Sequence, residues 1–290
     1  MLNPKDTAIG IDIGGTKISM VIGTAAGKIL AKREIPTQKG KYVKGCLDSM
    51  THQLQELMAD CPAGRKMLKG IGVGIPGPVD SKNGIVPKSP HMSGWEGLAL
   101  AKMLHHEFKL PVFMTNDANA AALGEKMFGE GKKEKHFVYM TVSTGIGGGL
   151  VANGELIEGA SFMGGEVGHM KIIAGGRLCK CGKAGCLEAY ASGTAIAEFA
   201  REAIHKGRRT RILRYVQKNA ILTAKEVGLA ARERDPLALE IFRQAGFYLG
   251  VGISNLLHLT NPGMVALGGG VFKSAPPEFW QFMMRSVRAN

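Results

Sequence analysis

The chain has 290 residues, 45% of them hydrophobic and 21% charged, with a formal net charge of +13. That length accommodates two domains of ordinary size, the apolar content excludes a disordered chain, and no apolar run approaches the roughly 20 residues of a membrane span. The basic balance suits nucleic acid, an anionic surface or an anionic small molecule. However, Lys and Arg are scattered, as at 132–135 and 208–214, and aromatics are only 6%. Stacking platforms for single strands are therefore scarce, and a solvated basic surface is expected, with no nucleic-acid and no membrane partner.

Ala8–Ile13 is an apolar run expected as a buried strand, leading into Asp12-Ile-Gly-Gly-Thr-Lys17. Ile18–Gly23 and Ile29–Ile35 follow as strands, so the chain opens with a β-meander. Gly14 and Gly15 leave amides open to a phosphate, the Thr16 hydroxyl can donate, and Lys17 adds charge. A tight hairpin turn uses the same residues. Asp12, at a strand end, can hold Mg²⁺ through water. Val43–Cys61 has helical periodicity, with Cys46 and Cys61 reading as core thiols. Leu68–Ile75 is a Gly-rich strand ending in the rigid turn Pro76-Gly77-Pro78, and 85–95 is irregular. Leu98–Phe108 is a helix, and the strand Pro111–Thr115 delivers Asn116-Asp117-Ala118-Asn119 to the start of a helix over Ala120–Phe128. Ligands of α/β folds gather at such strand ends; a plain helix N-cap is the other reading of Asp117.

His136–Val142 is a further strand, running into a turn over Ser143–Gly149 and a strand over Leu150–Ala152. Asn153-Gly154 is a hairpin signal, with Glu155–Ile157 as the return strand. Strand, Gly/Thr turn, strand, turn, strand thus occurs twice, and two facing Gly-Thr turns can clamp one triphosphate. Later helices are expected over Thr194–His205, from the capping box Thr223–Glu226, and from Asp235-Pro236 to about Leu259, where Asn261-Pro-Gly263 stops the last. Met264–Leu267 is a strand ending in Gly268, Gly269 and Gly270, a turn suited to an adenosine lying against backbone. A helix led by Ser274–Pro277 reaches Arg288.

Between Ile157 and the helix from Thr194 lies GGEVGHMKIIAGGRLCKCGKAGCLE, with His169, Cys179, Cys181 and Cys186. Three thiolates and an imidazole are the donors of a closed tetrahedral zinc site. A disulfide is the alternative, yet any pairing strands one thiol. Met1–Asp6 is polar and Thr7–Ile13 is too short for the apolar core of a secretory signal. A reducing, cytoplasmic setting favours metal over disulfide. A nucleic-acid zinc ribbon would need paired CxxC knuckles, which this stretch lacks.

The run from Gly168 to Glu188 resembles the zinc motif of the ROK family of bacterial sugar kinases and sugar-responsive repressors. The other motifs follow in the family's order: Asp12–Lys17, Gly74–Pro78, Asn116–Asn119, Thr144–Gly149 and Gly268–Gly270. The resemblance spans Ala8 to Val271. It implies an α/β fold of two ribonuclease-H-like domains, as in actin and hexokinase, with the active site in the cleft between them. The expected division is a small domain over 1–117 with the first phosphate loop and a larger one over 118–290 with the second loop and the zinc site. It implies ATP with Mg²⁺ as phosphoryl donor, held by Gly10, Asp12, Gly14, Gly15, Thr16, Lys17, Ser143, Thr144, Gly145, Gly147, Gly148, Gly268, Gly269 and Gly270. Asp117 matches the catalytic base; Asn116, Asp117, Glu166, His169 and Glu188 match sugar ligands; His169, Cys179, Cys181 and Cys186 match the ligands of a structural Zn²⁺.

The expected activity is ATP-dependent phosphorylation of a hexose, glucose before N-acetylmannosamine or N-acetylglucosamine, by a homodimer or homotetramer. A sugar-sensing repressor is the reading from another class; family repressors carry a helix-turn-helix domain ahead of the first phosphate loop, where this chain has only a few residues. The sequence departs from the family at Ser143, where Gly is common, and at His91, where Asn is common. It also stops before a further strand and helix of the family, which leads to the expectation of an apolar groove on the Ala8–Asp117 domain.

Overall fold

A computed structural model describes residues 6–61, 64–86 and 92–290; His91 and residues 1–5 lie outside them. The chain divides into two compact units, one of Met1–Lys133 with Leu156–Gly164, the other of Glu134–Glu155 with Gly165–Asn290. The division thus falls after Lys133, beyond the boundary expected at Asp117.

The first unit is built from β1 (Thr7–Ile13), β2 (Lys17–Thr24), β3 (Ile29–Pro36), α1 (Val43–Ala59), β4 (Leu68–Ile75), α2 (Leu100–Phe108), β5 (Val112–Asn116) and α3 (Asp117–Phe128). Its sheet has the order β3-β2-β1-β4-β5. The opening meander makes β1 antiparallel to β2, and the crossover through α1 makes it parallel to β4. Alternation along β1 buries Ile9, Ile11 and Ile13 in one core with Cys46, Met50, Leu54 and Leu57 of α1. Cys46 and Cys61 are buried thiols of this core, as expected. α3 stays with this unit because Gly74 lets it approach β4: a Cβ there would stand 3.3 Å from that of Ala120. The returning segment 156–164 is tied down by Glu158, whose carboxylate accepts from Ser81 Oγ at 2.8 Å and Thr115 Oγ1 at 3.1 Å. α1 and α2 also flank a groove of about 440 Å³ lined by Leu47, Met50, Leu100, Met103 and Leu104. Of these, Met103 is the exposed one, at 44%.

The second unit contains β6 (Phe137–Val142), β7 (Ile146–Ala152), α4 (Glu188–Ala191), α5 (Gly193–His205), α6 (Ala224–Arg232), α7 (Pro236–Thr260), β9 (Met264–Gly268), α8 (Gly270–Ser274) and α9 (Pro277–Ala289), and β8 (Glu155–Leu156) straddles the boundary. Its sheet order is β8-β7-β6-β9, with β6 antiparallel to β7 and parallel to β9. The first four strands of the other sheet repeat this arrangement, so the duplicated loop motif sits on a duplicated topology. One expectation fails locally. Gly147, Gly148 and Gly149 are not turn residues; they pair with Thr141, Met140 and Tyr139 inside β7. The strand needs glycine there for packing, because a Cβ on Gly148 would lie 2.7 Å from Val167 and 2.9 Å from the Tyr139 carbonyl.

α7 opens on the Asp235 cap, whose side chain accepts from the Ala238 amide, and ends at Asn261 in the left-handed region, φ 39°. α9 lies hard against it. A Cβ on Gly250 would meet the Met283 carbonyl at 2.5 Å and Ser286 Cβ at 2.6 Å. Gly250→Ala is therefore expected to destabilise the fold by about 1–3 kcal/mol through overpacking, despite alanine's better helix propensity. Gly124→Ala in α3, where a Cβ meets nothing within 4 Å, should instead gain about 0.5–1 kcal/mol. Urea midpoints of the two variants, moving in opposite directions, check the pair.

Candidate active site and metal centre

In the first unit, the turn between β1 and β2 is closed by the Gly14 amide bonding to the Lys17 carbonyl at 2.9 Å. The Gly14 carbonyl in turn accepts from Thr37 Oγ1 at 2.7 Å. The Gly15 and Thr16 amides stay outside the strand ladder, at an exposed corner suited to an anion. Gly10 lies inside β1, paired with Val21 and Gly72. Lys17 pairs with Glu34 of β3 at 2.8 Å, and Lys32 flanks the same carboxylate at 3.0 Å. These two hydrogen bonds, Lys17 first, hold Glu34 down at about 2.

Asp12 behaves oppositely: partial desolvation pushes its carboxyl up, with the Lys17 charge opposing, although the residue keeps an exposed face. A carboxyl raised in the folded chain takes up protons there more readily than in the unfolded chain. Its ionisation therefore costs stability, and the loss sets in as pH rises past the unfolded-chain pKa and is complete once pH has risen through the folded one. Asp12→Asn is expected to raise the urea midpoint at neutral pH. The gain should shrink as pH falls to where Asp12 is protonated in both states; an equal gain at every pH would refute the burial penalty.

At the end of β5, Asn116 is the N-cap of α3: its side chain accepts from the amides of Ala118 at 2.8 Å and Asn119 at 3.3 Å. Its amide donates to the Gly77 carbonyl at 3.0 Å. Asp117 is the first helical residue, with Oδ1 accepting from the Ala118 amide at 2.8 Å. The capping role that competed for Asp117 in the sequence thus belongs to its neighbour.

In the second unit the corresponding turn is Ser143–Gly145, closed by the Ser143 amide on the Gly145 carbonyl at 2.9 Å. It is braced from behind. Gly193 at the start of α5 donates to the Ser143 carbonyl at 2.8 Å, Thr194 Oγ1 to the Thr144 carbonyl at 2.8 Å, and the Ile146 amide to Glu188 Oε2 at 2.9 Å. Ser143, Thr144 and Gly270 share a cavity of about 630 Å³. Lys180, Arg201, Lys225, Arg232 and Lys273 line it beside Ala197, Leu222, Leu229 and Val271, with Arg201 and Arg232 donating to the Leu222 and Lys273 carbonyls; the basic members suit an anionic ligand. Gly268 closes β9 opposite Thr141, and Gly269 turns at φ 106°, where a Cβ would strike the Val142 carbonyl at 2.3 Å. Nothing local in the sequence marked Gly193 or Thr194 as loop supports; both are set by contacts across some fifty positions of chain, as in the Thr194–Thr144 pair.

His169, Cys179, Cys181 and Cys186 come together with their donor atoms all within 4.8 Å of one another. Cys179 Sγ is 3.8 Å from His169 Nδ1, and Cys181 Sγ is 3.6 Å from Cys186 Sγ. Donors on a tetrahedral ion with bonds of about 2.0–2.3 Å lie roughly 3.5–3.8 Å apart; these two separations match that spacing, and the whole set, within 4.8 Å, could hold a metal ion. Burial pushes the Cys179 thiol up to about 12. At Cys181 burial acts the same way, but the Lys183 amide and the neighbouring thiols outweigh it and the thiol moves down. His169 Nε2 faces Glu166 Oε2 at 3.8 Å, and Glu188 Oε1 lies 3.6 Å from Cys179 Sγ. Glu188 therefore joins the cysteine cluster to the start of β7.

Two α/β units with the same strand order, each presenting a Gly-Thr turn after its first strand, define a protein of the actin and hexokinase class. The ROK family profile matches residues 8–286. The chain belongs to the ROK family. It is 39% identical to a glucokinase of Halalkalibacterium halodurans over 92% of this chain and 81% of that protein. A putative xylose repressor of Caldicellulosiruptor is 34% identical over 90% of this chain and 65% of its own length. A ROK glucokinase from Streptomyces griseus, solved in complex with glucose and AMPPNP, superposes with a TM-score of 0.80 at 30% identity, covering 98% of this chain and 89% of that one.

Proposed function

We propose that the protein transfers the γ-phosphoryl group of ATP to a hexose hydroxyl, with glucose as the acceptor and glucose 6-phosphate as the product. The observation that carries this is the Ser143–Gly145 turn opening on a basic cavity while Glu188 and the α5 N-terminus hold it from behind. The glucokinase relative and the glucose-bound structural neighbour support the choice of sugar.

In this reading the amides of Gly15, Thr16, Thr144 and Gly145 hold phosphate oxygens, with Gly14 shaping the first turn and Gly268–Gly270 backing the nucleoside. Lys17 adds charge, and Asp12 would hold Mg²⁺ through water. That ion, when bound, neutralises charge on the phosphates. Asp117 takes the proton of the attacking hydroxyl as the oxygen bonds to the γ-phosphorus; the bond to the β-phosphate oxygen breaks and ADP leaves with the electron pair. Asn116 keeps one amide hydrogen for a sugar hydroxyl beside the one given to Gly77. Glu166, His169 and Glu188 are assigned to sugar hydroxyls. A Zn²⁺ ion on His169, Cys179, Cys181 and Cys186 would be structural, its coordination filled. With Nδ1 on the metal, His169 presents Nε2–H as a fixed donor. A reduced cytoplasmic setting suits the five free cysteines, and the family suggests a homodimer or homotetramer.

ADP release measured with ATP and Mg²⁺ against a panel of hexoses tests the reading. Glucose should give the highest kcat/KM. N-acetylmannosamine or N-acetylglucosamine in first place would reassign the acceptor, and no release with any hexose would overturn the kinase.

A further inference from the structure

Lys171 lies two residues beyond His169, and the structure puts its ammonium in direct contact with Cys186 Sγ. The contact is built by the backbone. Lys171 and Cys186 form an antiparallel bridge, flanked by the Ile172 amide on the Gly185 carbonyl at 2.9 Å and the Leu187 amide on the Met170 carbonyl at 2.9 Å. Residues directly opposite in such a bridge stand close enough for their side chains to meet. Cys186 is fully buried, at 0% exposure. Lys171 has no carboxylate partner among the ion pairs of the described residues; its other bond is to the His169 carbonyl at 3.4 Å. Lys180 and Lys183, in the same segment, make no side-chain bond to sulfur among the described residues. Three thiolates and one neutral imidazole on a divalent cation leave one surplus negative charge. A single ammonium aimed at the most buried sulfur supplies the opposite charge from the solvent-exposed side of the site.

We infer that Lys171 is a positioning residue of the cysteine centre: it holds Cys186 as a metal-bound thiolate and offsets the negative charge of the filled site. The inference rests on the zinc reading above. It assigns no proton transfer and no role in the phosphoryl step.

The test uses the zinc-loaded protein as purified, with Lys171→Met and Lys171→Arg. Lys171 is exposed, so both variants should keep the parent's circular dichroism; Lys171→Gln replaces the Met variant if that one does not fold. Zinc transfer to a chromophoric chelator should be about ten-fold faster in Lys171→Met, the scale set by lost outer-shell partners, and near the parent rate in Lys171→Arg. In the cobalt-substituted protein, the thiolate-to-metal charge-transfer band should move to longer wavelength in Lys171→Met, because the sulfur lone pair has lost its donor. A merely structural lysine would not move that band. Parent-like zinc release with an unmoved band overturns the role of Lys171 and leaves the metal site standing. A parent protein that takes up neither zinc nor cobalt overturns both.

Discussion

Replacing Asp117 by Asn is expected to lower kcat by about 10²–10⁴-fold, the contribution of a positioned general base, while the affinities for glucose and nucleotide change little. The fold should survive because the helix cap is supplied by Asn116, which accepts from two amides of α3. An Asn at 117 can keep the oxygen that accepts from the Ala118 amide. What is lost in the folded state is one negative charge in the first turn of a helix, worth about 0.3–1 kcal/mol at an exposed terminus. The loss should therefore appear in kcat and kcat/KM together, the signature of an interaction made in the transition state. Steady-state kinetics beside a thermal melt would decide it. A variant that turns over within a few-fold of the parent would leave Asp117 an ordinary helical residue.

Cys179→Ser is expected to abolish tight zinc binding and to cost about 10–100-fold in activity, the scale of damage when a metal shell is disturbed. Cys179 faces two ways, 3.8 Å from His169 Nδ1 and 3.6 Å from Glu188 Oε1. Losing its sulfur opens the metal site and removes a neighbour of the carboxylate that holds the Ile146 amide at 2.9 Å. The damage should thus appear as a raised KM for glucose, through His169, and for ATP, through the turn before β7. Metal content after dialysis against a chelator, measured with both KM values, checks this. A zinc-free variant with the parent's KM for both substrates would remove the link from cysteine cluster to turn.

Much of this was open to reading along the chain, for reasons that are local. The donor set of His169, Cys179, Cys181 and Cys186 lies within one short segment, so its convergence at 4.8 Å needs no distant partner. The Thr223–Glu226 capping box and the Asp235-Pro236 start are likewise local, and both appear. Misreading began where glycine serves packing rather than turning. Gly147–Gly149 looked like loop because the chain gives no sign that Val167 and the Tyr139 carbonyl crowd Gly148. The short helices α4 and α8 carry too few residues for periodicity. The supports of the site were hidden for a further reason. Glu158 on Thr115, Thr194 on Thr144 and Lys171 on Cys186 are pairings made by the fold, visible only once strands and turns are in place.

The return of residues 156–164 to the first unit has a consequence for synthesis. The polypeptide passes between the two units three times, after Lys133, after Glu155 and after Gly164. No single cut can release either unit as one continuous fragment. During translation, the carboxylate that receives Ser81 and Thr115 emerges only after β6 and β7 have been made. Domains made on the ribosome commonly fold in order from the N-terminus. Here the leading unit is complete in sequence only after Glu134–Glu155 of the second has been made. Its last tie waits on two strands of its partner, and the rest of that partner, Gly165–Asn290, follows only afterwards.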